Sequence, residues 1–359
     1  MFKKYLGKLG LLLGGLCVGL FLVELIARFP ALPSDSDLLF NSPDTSPVGL
    51  YVLDTQTRVV PAPNFQADVS SLGFSASLRT NALGVRGPQP ESVTQEQWLA
   101  LGDSFTMSVQ VSEEESFAGR LGAAKNVHIW NAGVDGYSTW QSKIRYEQLA
   151  PKLPIKHVLL TFFTGNDFQD NDLFPILQKQ RLPGKAGTPI PRNTLPGWKL
   201  FLLRHSYLYA HYRVYEQRQQ VQNAPQARNW KQELSLFHRS GQQRLQHLSQ
   251  NTEKALRALQ KSTQRRGAKL TVAIAPPAFV IDQSRASATF ELVGLDPSQA
   301  LLNAPQKKVA EILKRNNIRT CDLSTNLNTA PTESYFKTDG HWTPKGHDLV
   351  SQSLTSCIP

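Results

Sequence analysis

The chain has 359 residues, 40% of them apolar and 9% aromatic, with a formal charge of +11. That composition supplies a sizeable core and excludes wholesale disorder, and the length allows one large domain with additions. The positive balance alone would admit a nucleic-acid partner, but the N-terminal residues account for the chain's character differently, and no nucleic acid is expected.

Lys3, Lys4 and Lys8 precede an apolar run from Leu9 to Val23, which Glu24 interrupts and which resumes to Ala27. A stretch of this length predicts a transmembrane helix. Residues 1–29 therefore read as a membrane anchor, with the lysines holding the N-terminus in the cytoplasm. On this expectation the protein is a single-pass membrane protein whose remaining chain lies outside the cytoplasm. Two alternatives fit less well. A cleaved signal peptide wants small residues at its cleavage site, and lipid attachment at Cys17 wants a small residue where Leu16 stands. Cys321 and Cys357 are the other cysteines. Outside the cytoplasm they can form a disulfide, and inside they would be buried free thiols.

Residues 30–93 are rich in Pro, Ser, Asp and Asn and read as a stalk and irregular lead-in, ending in Asn81-Ala-Leu-Gly-Val-Arg-Gly87. Regular alternation follows, so 94–359 is the main domain. Strands are predicted at 98–101, 127–130, 158–163, 269–275 and 318–323 from their short apolar runs. Ser112-Glu-Glu-Glu115 reads as a capping box opening a helix to about residue 124. A helix over 139–149 takes Ser138 or Thr139 as its cap. Further helices are predicted at 243–266 and 299–316, and Thr343-Pro344 opens a last one. Strand–helix alternation with apolar strands implies an α/β fold whose parallel sheet is covered on both faces. A helical insertion at about 173–242 separates the third and fourth strands. Its aromatic-basic stretch, Phe201–Tyr215, has helical spacing and is expected to pack a Tyr and Leu face on the domain.

The residues after the strands carry the chemistry. The first strand ends in Gly102-Asp103-Ser104, the second runs into Gly133, and the third into Thr164-Gly165-Asn166-Asp167. Ligands of open parallel sheets sit at the carboxyl ends of the strands. One edge therefore gathers a hydroxyl, a glycine N–H and an amide, the parts of a nucleophile with an oxyanion hole. Gly133 suits that role because it has no Cβ to keep a substrate oxygen away. A serine nucleophile needs a base. Near the C-terminus, Asp339-Gly-His341 can fold the carboxylate back onto the imidazole and orient it, as in a triad. His347, inside the final helix, reads as structural.

Together these residues resemble the SGNH (GDSL-like) hydrolase family over about 97–171 and 318–355. The resemblance implies a flavodoxin-like three-layer α/β/α sandwich. It also implies Ser104 as nucleophile, oxyanion donors from the Ser104 and Gly133 backbones and the Asn166 side chain, and His341 as base oriented by Asp339. The chain departs from the family pattern at two points. Thr164 stands where Gly-x-Asn-Asp has its glycine, and Asp339-x-His341 is one residue shorter than Asp-x-x-His. The short form is similar to membrane-associated relatives in exopolysaccharide O-acetylation, and the Asn81–Gly87 segment ahead of Gly-Asp-Ser-Phe-Thr resembles anchored bacterial members of the family, whose catalytic domain would lie in the periplasm.

The resulting expectation is a serine esterase or acyltransferase for O-acetyl esters of cell-envelope or extracellular polysaccharide, needing no cofactor and no metal. Envelope polysaccharide-assembly proteins are the expected partners besides the acylated substrate. A lipid or thioester hydrolase and a non-catalytic polysaccharide-binding scaffold are the alternatives. Metal binding by Asp167, Asp170, Asn171 and Asp172 lacks the glycine and distal glutamate of a calcium loop.

Overall fold

The computed structural model describes residues 2–28, 47–71, 73–190, 197–209, 212, 215–216, 225–337 and 339–358. At its centre is a five-stranded, wholly parallel sheet. Its strands are β5 (Gln97–Leu101), β6 (His128–Asn131), β7 (Ile155–Phe163), β8 (Lys269–Ala275) and β9 (Arg319–Asp322). Their spatial order is β6-β5-β7-β8-β9. This is the doubly wound 2-1-3-4-5 order, whose switch point lies between β5 and β7.

The period-2 alternation of the strands sorts their side chains into two cores. Leu99, Leu101, Val158, Leu160, Phe162, Val272 and Ile274 face one side, under α4 (Thr139–Leu149), α8 (Gln242–Gln264) and α9 (Ala304–Arg315). Trp98, Ala100, Leu159, Phe163, Ala273 and Ala275 face the other, under α3 (Phe117–Lys125) and α10 (Pro344–Cys357). A three-layer α/β/α arrangement follows directly from that two-sided burial. The cap of α4 is a complete capping box between Ser138 and Gln141, and Thr343 caps α10. The box at Ser112–Glu115 also forms. It does not open the helix, however, because α3 begins at Phe117 with Ser116 as its cap.

The segment read as a stalk carries two antiparallel hairpins. These are β1 (Tyr51–Asp54) with β2 (Arg58–Pro61), and β3 (Gln66–Ser71) with β4 (Phe74–Arg79). Leu50, Tyr51, Val69, Phe74 and Leu78 form a third core with Met107, Val109, Val134, Tyr137 and Phe336. The hairpins thus rest on the loops that follow β5 and β6 and on the loop that carries His341.

The expected transmembrane helix is corrected. Phe2–Ala27 form a helix, α1, but among the described residues no helix is long and apolar enough to cross a membrane. The physical reason lies at Glu24. Its carboxylate accepts hydrogen bonds from Ser206 Oγ (2.8 Å) and from the backbone N–H groups of Tyr207 (2.8 Å) and Leu208 (3.1 Å). Slight burial works to raise its pKa, but these hydrogen bonds outweigh it and hold the carboxyl below its ordinary value. The apolar run therefore ends at Val23. From Leu9 that is 15 residues, or about 22 Å of helix against a hydrocarbon core of about 30 Å.

The insertion contains the end of α5 (Asp167–Gln178), α6 (Gly197–His205) and α7 (Pro225–Leu234). Part of Phe201–Tyr215 lies outside the described residues. Within the described part, Phe201, Tyr212 and Tyr215 are exposed, so these aromatics do not make the packed face expected of them. Cys321 and Cys357 are joined in a disulfide that ties β9 to the end of α10.

Candidate active site

At the switch point β5 ends and the chain turns at once into a short helix, α2 (Ser104–Met107). The Asp103 side chain caps it by accepting a hydrogen bond from the Phe105 N–H (3.0 Å). Ser104 is therefore the first residue of a helix that begins at a strand end. Behind it, Phe105 is buried against Phe163 (ring centroids 4.1 Å apart), His341 (4.8 Å) and Trp342 (4.9 Å).

His341 arrives from the far end of the chain. The loop before α10 is closed by the Phe336 N–H donating to the His341 carbonyl (2.8 Å) and the Gly340 N–H donating to the Phe336 carbonyl (3.1 Å). Gly340 takes the left-handed φ of +78° that this turn requires. The turn brings Asp339 Oδ1 within 2.5 Å of His341 Nδ1, while His341 Nε2 lies 2.8 Å from Ser104 Oγ. Asp339 and His341 are both buried, at 3% and 6% exposure, so their pairing is shielded from solvent.

Electrostatics favour a basic imidazole. Burial acts to lower the His341 pKa. The charge and hydrogen bond of Asp339, then the charges of Asp103 and Asp135, outweigh burial and leave it above the ordinary histidine value. Asp103 moves the other way for a carboxyl: burial pushes it up to about 7, against the Phe105 N–H and the His341 charge, with Asp135 adding to the rise. Asp167 is also raised, by burial first and then by Asp103 and Asp170.

The other half of the sequence-predicted site is also at this edge. Gly133 follows β6, but its N–H already donates to Asn131 Oδ1 (3.1 Å), and Asn131 Nδ2 donates to the Thr106 carbonyl (2.6 Å). A Cβ on Gly133 would meet Met107 N at 2.4 Å and Thr106 Cβ at 2.6 Å. Glycine is thus required here by the close approach of α2, a reason the sequence reading did not contain. Asn166 stands at the cap of α5, at the end of β7, and its Oδ1 is buried with no hydrogen-bond partner.

Two further residues were not identified from the sequence. Gln110 is buried, and its Nε2 lies 3.0 Å from Asp339 Oδ1 and 3.1 Å from His341 Nδ1. Arg86, also buried, donates to the carbonyls of Met107 (2.7 Å), Ser108 (2.7 Å) and Val111 (3.0 Å). Arg86 lies in the Asn81–Gly87 segment singled out earlier, whereas nothing local marks Gln110.

His347 is buried, accepts at Nδ1 from the Phe117 N–H (3.2 Å), and is held by burial at a pKa of about 3, a structural part. The residues considered for a metal face different partners. Asp167 accepts from the Phe163 N–H, Asn171 donates to Thr139, and Asp172 accepts from Asn251. Among the described residues no group of three or more His, Cys, Asp or Glu could hold a metal ion.

Residues 235–359 match the family model described as the SGNH hydrolase-like domain of acetyltransferase AlgX. No curated protein matches the chain. Among solved structures, a lipolytic G-D-S-L family protein from Veillonella parvula is similar at 15% identity. That match covers 73% of this chain and 98% of its own, with a TM-score of 0.40. The acetylxylan esterase Axe2 from Geobacillus stearothermophilus is similar at 11% identity, covering 73% and 94%, with a TM-score of 0.39. The esterase EstA from a Pseudoalteromonas species is similar at 13%, covering 73% and 96%, with a TM-score of 0.37. The family model spans Asp339 and His341, and Ser104 completes their array from outside it. Over residues 235–359 the chain is thus similar to an SGNH hydrolase-like domain.

Proposed function

We propose that the chain cleaves O-acetyl esters of carbohydrate through an acyl-serine at Ser104, and passes the acyl group to water or to a sugar hydroxyl. The observation that carries this reading is the continuous line from Ser104 Oγ to His341 Nε2 (2.8 Å) and from Nδ1 to Asp339 Oδ1 (2.5 Å). His341 takes the hydroxyl proton at Nε2 as Ser104 Oγ bonds to the ester carbonyl carbon. Asp339 holds the Nδ1–H and steadies the imidazolium. When the tetrahedral adduct collapses, the ester C–O bond breaks and His341 returns the proton to the leaving alcohol. Water or an acceptor hydroxyl then gives a proton to His341 and attacks the acyl-serine, and Ser104 leaves as the free hydroxyl. Asn166 and the Ser104 N–H are assigned to the developing oxyanion. Gly133 can join them by sharing the N–H that now reaches Asn131.

The acetyl group is favoured by the acetyltransferase domain matched over residues 235–359. An extracytoplasmic location, and with it an envelope or extracellular polysaccharide, is favoured by the Cys321–Cys357 disulfide, a bond that persists in oxidising compartments. The test is turnover of a chemically O-acetylated polysaccharide and p-nitrophenyl acetate beside p-nitrophenyl palmitate and palmitoyl-coenzyme A. Acetate release at least tenfold above release from the long-chain substrates, and lost in Ser104→Ala, is expected. A preference for the palmitoyl substrates would move the reading to a lipid or thioester hydrolase.

A further inference from the structure

Gln110 sits where two sets of contacts meet, and neither set is explained by packing alone. On one side, its Nε2 is 3.0 Å from Asp339 Oδ1 and 3.1 Å from His341 Nδ1. That carboxylate oxygen also accepts from His341 Nδ1 and from the His341 backbone N–H (3.3 Å). On the other side, the loop that carries Gln110 is gathered by Arg86, through the carbonyls of Met107, Ser108 and Val111. The loop reverses at Ser108, a non-glycine residue with a left-handed φ of +53°, whose Oγ donates to the Phe105 carbonyl (2.8 Å). Gln110 itself is 3% exposed, and its Oε1 is buried without a partner. Turning the amide over would set that oxygen against the carboxylate, acceptor against acceptor, so the chemistry of the contact selects Nε2. The amide is thus oriented by its donation to Asp339, beside His341 Nδ1.

We propose that Gln110 is a positioning residue of the Asp339–His341 pair: its amide fixes the carboxylate beside the imidazole and moderates the pull of that carboxylate on the ring. A donor on Oδ1 disperses part of the negative charge that His341 feels, and its partial positive charge faces Nδ1. Both effects disfavour the imidazolium and keep more of His341 available as a base near neutral pH. The groups facing His341 are Asp339 in its own loop, Asp103 after β5 and Asp135 after β6. His347 of α10 also senses its charge. Among them Gln110 supplies the neutral donor that offsets the three carboxylates.

This inference rests on the proposed roles of Ser104 and His341, and the experiment separates the two. The pH profile of kcat/KM for p-nitrophenyl acetate is measured for the wild type, Gln110→Leu, Gln110→Glu and Ser104→Ala, with thermal melting as the control for folding. In Gln110→Leu the acid limb is expected to rise by about half to one pH unit, and in Gln110→Glu by more, since a carboxylate there adds to the pull. Limbs that stay at the wild-type value, or that fall, overturn the inference even if melting temperatures drop, because a packing role moves only the latter. Activity retained in Ser104→Ala overturns the underlying reading instead. If neither Gln110 variant folds, the wild-type side-chain amide decides by NMR. Its protons are expected to be protected from exchange and to shift with the His341 titration, and free exchange or indifference to that titration would contradict the proposal.

Discussion

The two halves of the site are assembled to different degrees. On the proton-transfer side, every element is held by the protein itself: Ser104 by α2, His341 by Ser104 and Asp339, Asp339 by Gln110, and the Gln110 loop by Arg86. On the side proposed for the oxyanion, the Gly133 N–H is already bonded to Asn131, and the Asn166 side chain makes no cap hydrogen bond. On the proposed roles, the difference matches what each half would meet during turnover. A proton relay needs its partners in place before substrate binds, whereas oxyanion donors find their acceptor only when the carbonyl oxygen becomes charged. The wired half also draws on distant sequence. The hairpin residue Phe74 lies against Phe336 (ring centroids 5.3 Å apart) in the loop that leads to His341, so the N-terminal hairpins support that loop.

The contrast predicts unequal losses. Asp339→Asn keeps the side chain's shape but reverses the hydrogen bond that sets the His341 tautomer. Steady-state assays with p-nitrophenyl acetate should show kcat falling by about 10³–10⁴-fold. A loss below tenfold would mean that the relay is not organised by Asp339. Asn166→Ala removes one oxyanion donor, and kcat should fall by about 10²-fold with little change in KM. An unchanged kcat would take Asn166 out of the oxyanion hole and leave that side to backbone donors.

Much of the sheet and its caps was legible because those signals are local. The apolar run of Lys269–Ala275, the Ser138 cap and the Thr343-Pro344 pair each act within a few residues of the structure they specify. The candidate triad was legible because its residue types recur at strand ends and in the short Asp339-Gly-His341 turn. Gln110 was not, since its partners lie more than two hundred positions away and a buried glutamine has no local signature. Gly133 was noticed as a glycine, but the approach of α2 that demands one is a tertiary fact. The N-terminal run was read as a span from hydropathy alone. The tie of Glu24 to Ser206, Tyr207 and Leu208, which ends that run, crosses from one end of the chain to the insertion.

The central claim is that Ser104 is the nucleophile, and trapping the acyl-enzyme tests it most directly. The protein is treated with a fluorophosphonate, or with p-nitrophenyl acetate and a rapid acid quench, and then digested and analysed by mass spectrometry. The account predicts one adduct, on the peptide holding Gly102-Asp103-Ser104, absent in Ser104→Ala and strongly slowed in His341→Ala. An adduct on another residue, or equal labelling of Ser104→Ala, would contradict it.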